Sequence, residues 1–291
     1  MPKLSESWKL AIAAFLASAR RFAVGPYGAA VLAKTRNGAL LVPPGDMFVG
    51  RRLCFKGEYD AELLDFFLGK CSSGSRILIV GAHVGALAVP VAGRVGSVAA
   101  VEANPSIFEL LRMNVALNGL ANVELHNFAA GDRNGEANFL ASRLNTGGSG
   151  LVVGEAGAWD WAYSHEKPST LTVSMRRLDD VFADDQFDFL VMDVEGGEAV
   201  ALRGMPGLLS RCRGLLIEVF ERHLRRVARV SNEEFLSLIA PYFDRAVILP
   251  EKPRNGEAAF SAPYAREAFP AVIEECCARG MANVMFWKDG E

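Results

Sequence analysis

Hydrophobic and polar positions follow two regimes along this chain. In the first, up to about residue 75, the pattern is mixed. Leu10 to Ala19 is apolar apart from Ser18, with Lys9 before it and Arg20 and Arg21 after it. Its apolar positions wrap most of a helical wheel, so residues 8–24 predict a packed N-terminal helix; a membrane-surface or partner-binding helix is the alternative. Residues 29–42 read as two apolar runs around Asn37-Gly38, a dipeptide that takes positive φ at both central positions of a tight hairpin. Leu63, Leu64, Phe67 and Leu68 fall at helical spacing within residues 58–70, and Cys71-Ser72-Ser73-Gly74-Ser75 reads as a loop.

From Arg76 the second regime begins. Short apolar runs at residues 77–80, 98–101, 123–128, 187–192 and 215–219 alternate with helical stretches at 85–93, 105–118 and 197–211. Near-continuous apolar strands separated by helices predict an α/β fold whose mostly parallel sheet is covered on both faces. Residues 141–170 are richer in Gly, Ser and Trp and lack periodicity, which fits a lid or insert near the ligand end of the sheet. The division expected is an N-terminal helix and hairpin elaboration over residues 1–75 and a main domain over 76–291.

Composition narrows the class. The 291 residues are 51% hydrophobic and 22% charged, which excludes a mainly disordered or fibrous chain. A net charge of −3 and a pI near 5.9 argue against a general nucleic-acid binder. Mean hydropathy is +0.17, yet no apolar run reaches the ~18 residues of a membrane span. The odd count of five cysteines, with no metal spacing, reads as free thiols in a reducing cytoplasm.

Four motifs carry candidate chemistry. Gly81-Ala82-His83-Val84-Gly85 follows a strand and opens a helix, where glycine lets backbone N–H groups approach a ligand. It lacks the full dinucleotide fingerprint, which favours a turn around a smaller group. Glu102 ends the next strand about 20 positions on, the placement of a carboxylate that grips ribose hydroxyls. After the third strand, Ala129-Ala130-Gly131-Asp132 offers backbone for an adenine pocket, although Asp132 equally suits the start of a turn. Met192-Asp193-Val194-Glu195-Gly196-Gly197-Glu198 clusters carboxylates at a strand terminus, where a base, a substrate-orienting group or a cation site is chemically reasonable; capping of the next helix is the plain alternative for Glu195 and Glu198.

Taken in order, these blocks resemble the FkbM-type family of S-adenosylmethionine-dependent methyltransferases. The resemblance spans roughly residues 30–220. It rests on Gly57-Glu58-Tyr59-Asp60, Val80-Gly81-Ala82-His83-Val84-Gly85, Val101-Glu102-Ala103-Asn104-Pro105, Leu178-Asp179-Asp180, the Asp193 block with the later Leu202-Arg203-Gly204, and Leu216-Ile217-Glu218-Val219. It implies a Rossmann-like seven-stranded sheet, with S-adenosylmethionine held by Gly81, Ala82, His83, Gly85, Glu102, Ala103, Asn104, Ala129 and Asp193. It also implies methyl transfer, usually to a hydroxyl of a sugar or secondary metabolite. Two departures stand out: Ile79 replaces the family's usual aspartate, and His83 its usual asparagine. His83 is read either as a donor to the cofactor carboxylate or as a solvent-facing side chain.

Asp193 is the group expected nearest the acceptor, with Glu195 or Glu218 assisting and His165 or His223 as alternative bases. Tyr59, Trp161 and His165 are candidate acceptor contacts; Trp159 and Tyr163 could stack on the acceptor or pack the lid. Arg222, Arg225, Arg226 and Arg229 read as a solvated face rather than an anion site. The expectation is therefore a cytoplasmic enzyme acting on a hydroxylated small molecule. No nucleic-acid partner and no integral membrane span are expected, and a homo-oligomer is compatible. A divalent metal is allowed but not expected. A nicotinamide dehydrogenase and a non-catalytic cofactor-binding module are the competing readings.

Overall fold

A computed structural model describes residues 6–153, 166–250 and 260–290. The N-terminal part runs α1 (Glu6–Val24), β1 (Val31–Thr35), β2 (Gly38–Val42), α2 (Val49–Lys56) and α3 (Ala61–Leu68). Next come β3 (Arg76–Val80), α4 (Ala88–Ala92), β4 (Ser97–Val101), α5 (Pro105–Leu117) and β5 (Val123–His126). A second group of strands follows: β6 (Ala129–Ala130), β7 (Gly135–Ala141), β8 (Gly150–Leu151) and β9 (Ser169–Arg176). The chain then returns through α6 (Leu178–Val181), β10 (Phe189–Met192), α7 (Glu198–Arg203), α8 (Pro206–Arg211) and β11 (Gly214–Phe220). It ends with α9 (Asn232–Ser237), β12 (Arg245–Pro250), β13 (Tyr264–Ala265), α10 (Phe269–Arg279) and β14 (Met281–Trp287).

The main sheet has the order β13-β12-β14-β11-β10-β3-β4-β5. Its β11-β10-β3-β4-β5 section is parallel, and β14, β12 and β13 add antiparallel pairings. This is the expected Rossmann-like arrangement, with the two-residue β13 as an eighth strand at the edge rather than seven in all. Alternate residues of the central strands feed two cores. Leu78, Val80, Leu190 and Met192 face one; Ile77, Ile79, Phe189 and Val191 face the other, which also takes Leu64 and Phe67 from α3. Burial on both faces is why these strands read as unbroken apolar runs.

Three local expectations need correction. The hairpin turn is centred on Arg36 and Asn37, because Thr35 pairs with Gly38; among the four turn residues only Gly38 has positive φ, at 114°. The apolar run at 123–128 breaks after His126, and the chain crosses into a second sheet ordered β6-β9-β7-β8. The helical stretch at 197–211 is two helices. Gly204 lies so close to Gly131 that a Cβ would sit 1.9 Å from its carbonyl oxygen, and Pro206 opens α8 at a position that needs no N–H.

Buried asparagines stitch the N-terminal hairpin to the sheet. Asn37 Nδ2 donates to the carbonyls of Tyr59 (2.9 Å) and Ala86 (2.8 Å), while its Oδ1 accepts from Tyr59 N–H (2.9 Å). Asn114 of α5 bridges the Leu41 carbonyl and the Val84 carbonyl in the same way. The hairpin, α2 and the start of the glycine loop accordingly share one apolar cluster, including Leu40, Val42, Leu53, Val84 and Val89. Asn37→Ala would orphan three backbone groups near a buried site, and an equilibrium denaturant titration should show a loss of about 2–4 kcal/mol.

Candidate functional site

The carboxyl ends of β3, β4 and β10 open on one cavity, partly open to solvent. Gly81, His83, Glu102, Ala103, Asp193 and Glu195 line it from the main sheet, and Ala129 from β6 of the second. Phe128 and Phe139 add apolar walls, and Thr146, Gly147, Ser149 and Leu151 close the side formed by the second sheet. The two motif loops touch backbone to backbone. Gly81 has φ of 89°, and a Cβ there would lie 1.7 Å from the Asp193 carbonyl oxygen. Only glycine permits both that dihedral and that approach.

Glu102 is 7% exposed. Its Oε2 accepts from His83 N–H (2.9 Å) and its Oε1 from Asn104 N–H (2.7 Å), which leaves acceptor positions on both oxygens. Burial pushes its carboxyl up to about 7, against the lowering effect of the surrounding N–H groups.

His83 takes φ of 51°. Its Nε2 lies 2.9 Å from Thr146 Oγ1, and the Thr146 hydroxyl bonds Asp46 Oδ2. Asp46 is wholly buried and also accepts from the N–H groups of Phe48, Gly50 and Thr146. A hydroxyl has one proton. Given to the Asp46 carboxylate, it obliges His83 to donate through Nε2, which makes Nδ1 the lone-pair nitrogen. That Nδ1 is buried and has no hydrogen-bond partner. Burial lowers the imidazole pKa, which keeps the ring neutral. His83 is thus neither solvent-facing nor, in this state, a donor through its free nitrogen.

An acidic cluster stands on the other side of the cavity. The Asp193 carboxyl is pushed up to about 7, first by desolvation and then by the charges of Glu198, Asp60 and Glu102. Asp193 is itself exposed, which leaves its carboxyl accessible to an occupant of the cavity. Glu195 and Glu218 are raised well above the ordinary carboxyl range, chiefly by desolvation and then by their acidic neighbours. Glu198 turns inward to accept from Val194 and Gly196 N–H (3.2 Å each), so it braces the loop at the start of α7. His223 is buried, with Nε2 3.5 Å from Glu195 and Nδ1 4.0 Å from Glu218; desolvation lowers its pKa to about 4. Glu195, Glu218 and His223, or Asp193, Glu198 and Glu218, bring ligand atoms within 4.8 Å of one another and could hold a divalent cation. Tyr59 joins this region: burial raises its hydroxyl pKa, with further contributions from Asp60, Asp193 and Glu195.

The structure divides the residues expected from sequence. Gly81, His83, Glu102, Ala103, Ala129, Asp193 and Glu195 share the cavity wall. Ala82, Gly85, Asn104, Glu218 and the expected acceptor contact Tyr59 are not part of that wall. Asn104 caps α5 by accepting from Ser106 N–H (3.1 Å), and Gly85 makes room for Leu111. Ile79 packs in the opposite core. Trp159, Trp161, Tyr163 and His165 lie outside the described residues. Sequence reasoning missed Asp46 and Thr146. They stand 100 positions apart in ordinary turn-like segments, and no local pattern links them to His83.

A model described as the methyltransferase FkbM domain matches residues 80–246, more than half of the chain. The chain belongs to the FkbM methyltransferase family. None of the curated proteins matches it. Among solved structures it is similar to a precorrin-8w decarboxylase from Methanobacterium thermoautotrophicum: 14% identity, 79% of this chain and 91% of that one, TM-score 0.42. An rRNA methylase from Streptococcus thermophilus gives 11% identity, 78% and 94% coverage and a TM-score of 0.44. A putative O-methyltransferase from Klebsiella pneumoniae gives 14% identity, 80% and 82% coverage and a TM-score of 0.42. The FkbM family implies S-adenosylmethionine, and the donor set fits it. Glu102 has free acceptor positions suited to ribose hydroxyls, and His83 has an unpartnered acceptor suited to an ammonium group.

Two outcomes test this geometry. Gly81→Ala should fail to yield the native fold or lose several kcal/mol in thermal unfolding, since its Cβ would overlap a backbone oxygen. A carboxyl raised in the folded state stabilises the protein below its unfolded pKa, and that contribution disappears as pH climbs through the folded value. Between pH 5 and 8 the ligand-free wild type should therefore lose about 2.5 kcal/mol relative to Glu102→Gln, read from paired melts.

Proposed function

We propose that this FkbM-family methyltransferase uses S-adenosylmethionine to methylate a hydroxyl of a sugar or secondary-metabolite small molecule. The observation that carries the reading is the position of Asp193. Its carboxyl, raised to about 7, lines the same cavity as the ribose-type carboxylate Glu102.

Bound there, the cofactor would supply a methyl group on a positively charged sulfur, already activated for displacement. The protein's own contribution is then alignment and proton removal. Glu102 would hold the ribose hydroxyls, Gly81 and Ala103 would line the cofactor from the strand ends, and Ala129 would border the base. His83 would accept from the ammonium group, held in the right tautomer by Thr146 and Asp46. Asp193 would take the acceptor's proton as the new C–O bond forms.

Glu195 and Glu218 are raised in the same direction, chiefly by desolvation and then by their acidic neighbours; of the three, Asp193 and Glu195 line the cavity. Tyr59 would bound the acceptor side. A cavity edged by carboxylates and by Phe128, Phe139 and Leu151 disfavours phosphate-rich acceptors and suits a neutral, partly apolar one. The same argument supports a small molecule over nucleic acid.

Isothermal titration should show binding of S-adenosylmethionine and S-adenosylhomocysteine but not NAD; binding of NAD alone would favour the dehydrogenase reading. With a panel of hydroxylated acceptors, formation of S-adenosylhomocysteine should rise with pH through about 7, because a base works only when deprotonated. Asp193→Asn should keep cofactor binding and lose at least about 100-fold in turnover; full turnover would remove Asp193 from the base role. Activity that survives exhaustive chelation supports the metal-free route, and loss restored by Mg²⁺ or Mn²⁺ would transfer the role to the cation cluster around Glu218.

A further inference from the structure

We propose that the N-terminal elements α1 to α2 form a docking face for an anionic membrane surface, with the outer stripe of α1 entering the headgroup region. This reading is independent of the reaction carried out at the cavity.

The first observation is a two-sided helix. Ala13 and Ala17 of α1 are buried against Met47, with Leu144 beside them, and Arg20 Nε donates to the Pro44 carbonyl at 2.5 Å. Among the described residues the opposite side has no such cover. Ile12, Phe15, Ala19 and Phe22 fall within an arc of about 80° on a helical wheel, across from Ala13, Ala17 and Arg20. Phe15 is 71% exposed, Phe22 89% and Tyr27, just beyond the helix, 99%. Leu32 on β1 and Phe55 on α2 are exposed as well. Single exposed apolar residues are ordinary, but a stripe of large ones on one element marks an interaction surface.

Charge chooses the partner. Residues 1–56 contain nine Lys and Arg against two Asp and Glu, although the whole chain is −3; Arg36 and Arg52 pair with Asp65 and Asp60, which leaves seven of the nine outside those pairs. One of those two acids, Asp46, is wholly buried and satisfied by backbone and Thr146. Lys34 and Lys56 are exposed beside Leu32 and Phe55. Arg21 is exposed and gives its N–H groups to the Gly28 and Pro26 carbonyls, which leaves its charge unneutralised. A second copy on this face would oppose two basic surfaces. An anionic bilayer offers both what the aromatic stripe lacks and what the basic residues attract. No helix among the described residues is long and apolar enough to cross a membrane, so the attachment is to the surface.

Full-length protein should co-sediment with vesicles of phosphatidylcholine mixed with phosphatidylglycerol, but not with phosphatidylcholine alone. High salt should weaken the binding, since the basic contribution is screened. Phe15→Ser with Phe22→Ser should lower the partition coefficient at least about tenfold, because both rings leave the interface. Lys34→Glu with Lys56→Glu should lower it severalfold, and all four positions are exposed, so the melting temperature serves as the check that the fold is intact. Absence of binding to the anionic vesicles, binding that both double variants leave unchanged, or binding to an RNA oligonucleotide in place of vesicles would each overturn the proposal. Cofactor titration by the same variants should be unaffected.

Discussion

The approach of Gly81 to Asp193 organises the functional end of this molecule. Two parallel neighbours, β3 and β10, end in register, and the loops that leave them lie backbone against backbone. That contact is possible because the first loop carries no side chain at its turning point. It sets the glycine turn, Glu102 and the Asp193 block around one cavity. A wider turn at Gly81 would separate the carboxylate suited to a ribose from the carboxylate suited to proton removal.

Around that contact the protein concentrates negative charge, with Glu102 and Glu198 buried and Asp193 exposed. Glu102, Asp193, Glu195, Glu198 and Glu218 all have raised carboxyl pKa values, with desolvation as the main cause. Such a cluster destabilises the empty fold at neutral pH and is tolerable for a chain that gains from a positively charged occupant. His83 answers the same pressure differently. It remains neutral and is oriented by Thr146, which is itself oriented by the buried Asp46. The segment before α2 and the second sheet therefore determine how a residue of the glycine loop presents its nitrogen, although neither belongs to the main sheet.

The large features were legible in the sequence because they depend on short-range regularities. Apolar runs of four to seven residues mark strands buried on both faces. A glycine turn after one strand and an acid at the end of the next require no long-range knowledge. Legibility failed where tertiary contact overrides local preference. The segment at 123–128 reads as one strand, yet only its first part pairs with β4. The helical stretch at 197–211 breaks where Gly204 meets Gly131, two positions with no relation in sequence.

By itself, then, the sequence determined the α/β class, the order of the strands along the chain and the residues available for cofactor chemistry, since periodicity and turn chemistry are local properties. Only the tertiary structure decided which of them meet. It placed Asn104, Gly85 and Ala82 in supporting positions, kept Glu218 behind Asp193, and brought Asp46 and Thr146 to His83. It also left one side of α1 uncovered by the described residues. Each of these outcomes depends on contacts between segments tens to a hundred residues apart, where burial and hydrogen-bond satisfaction, not sequence spacing, select the partner.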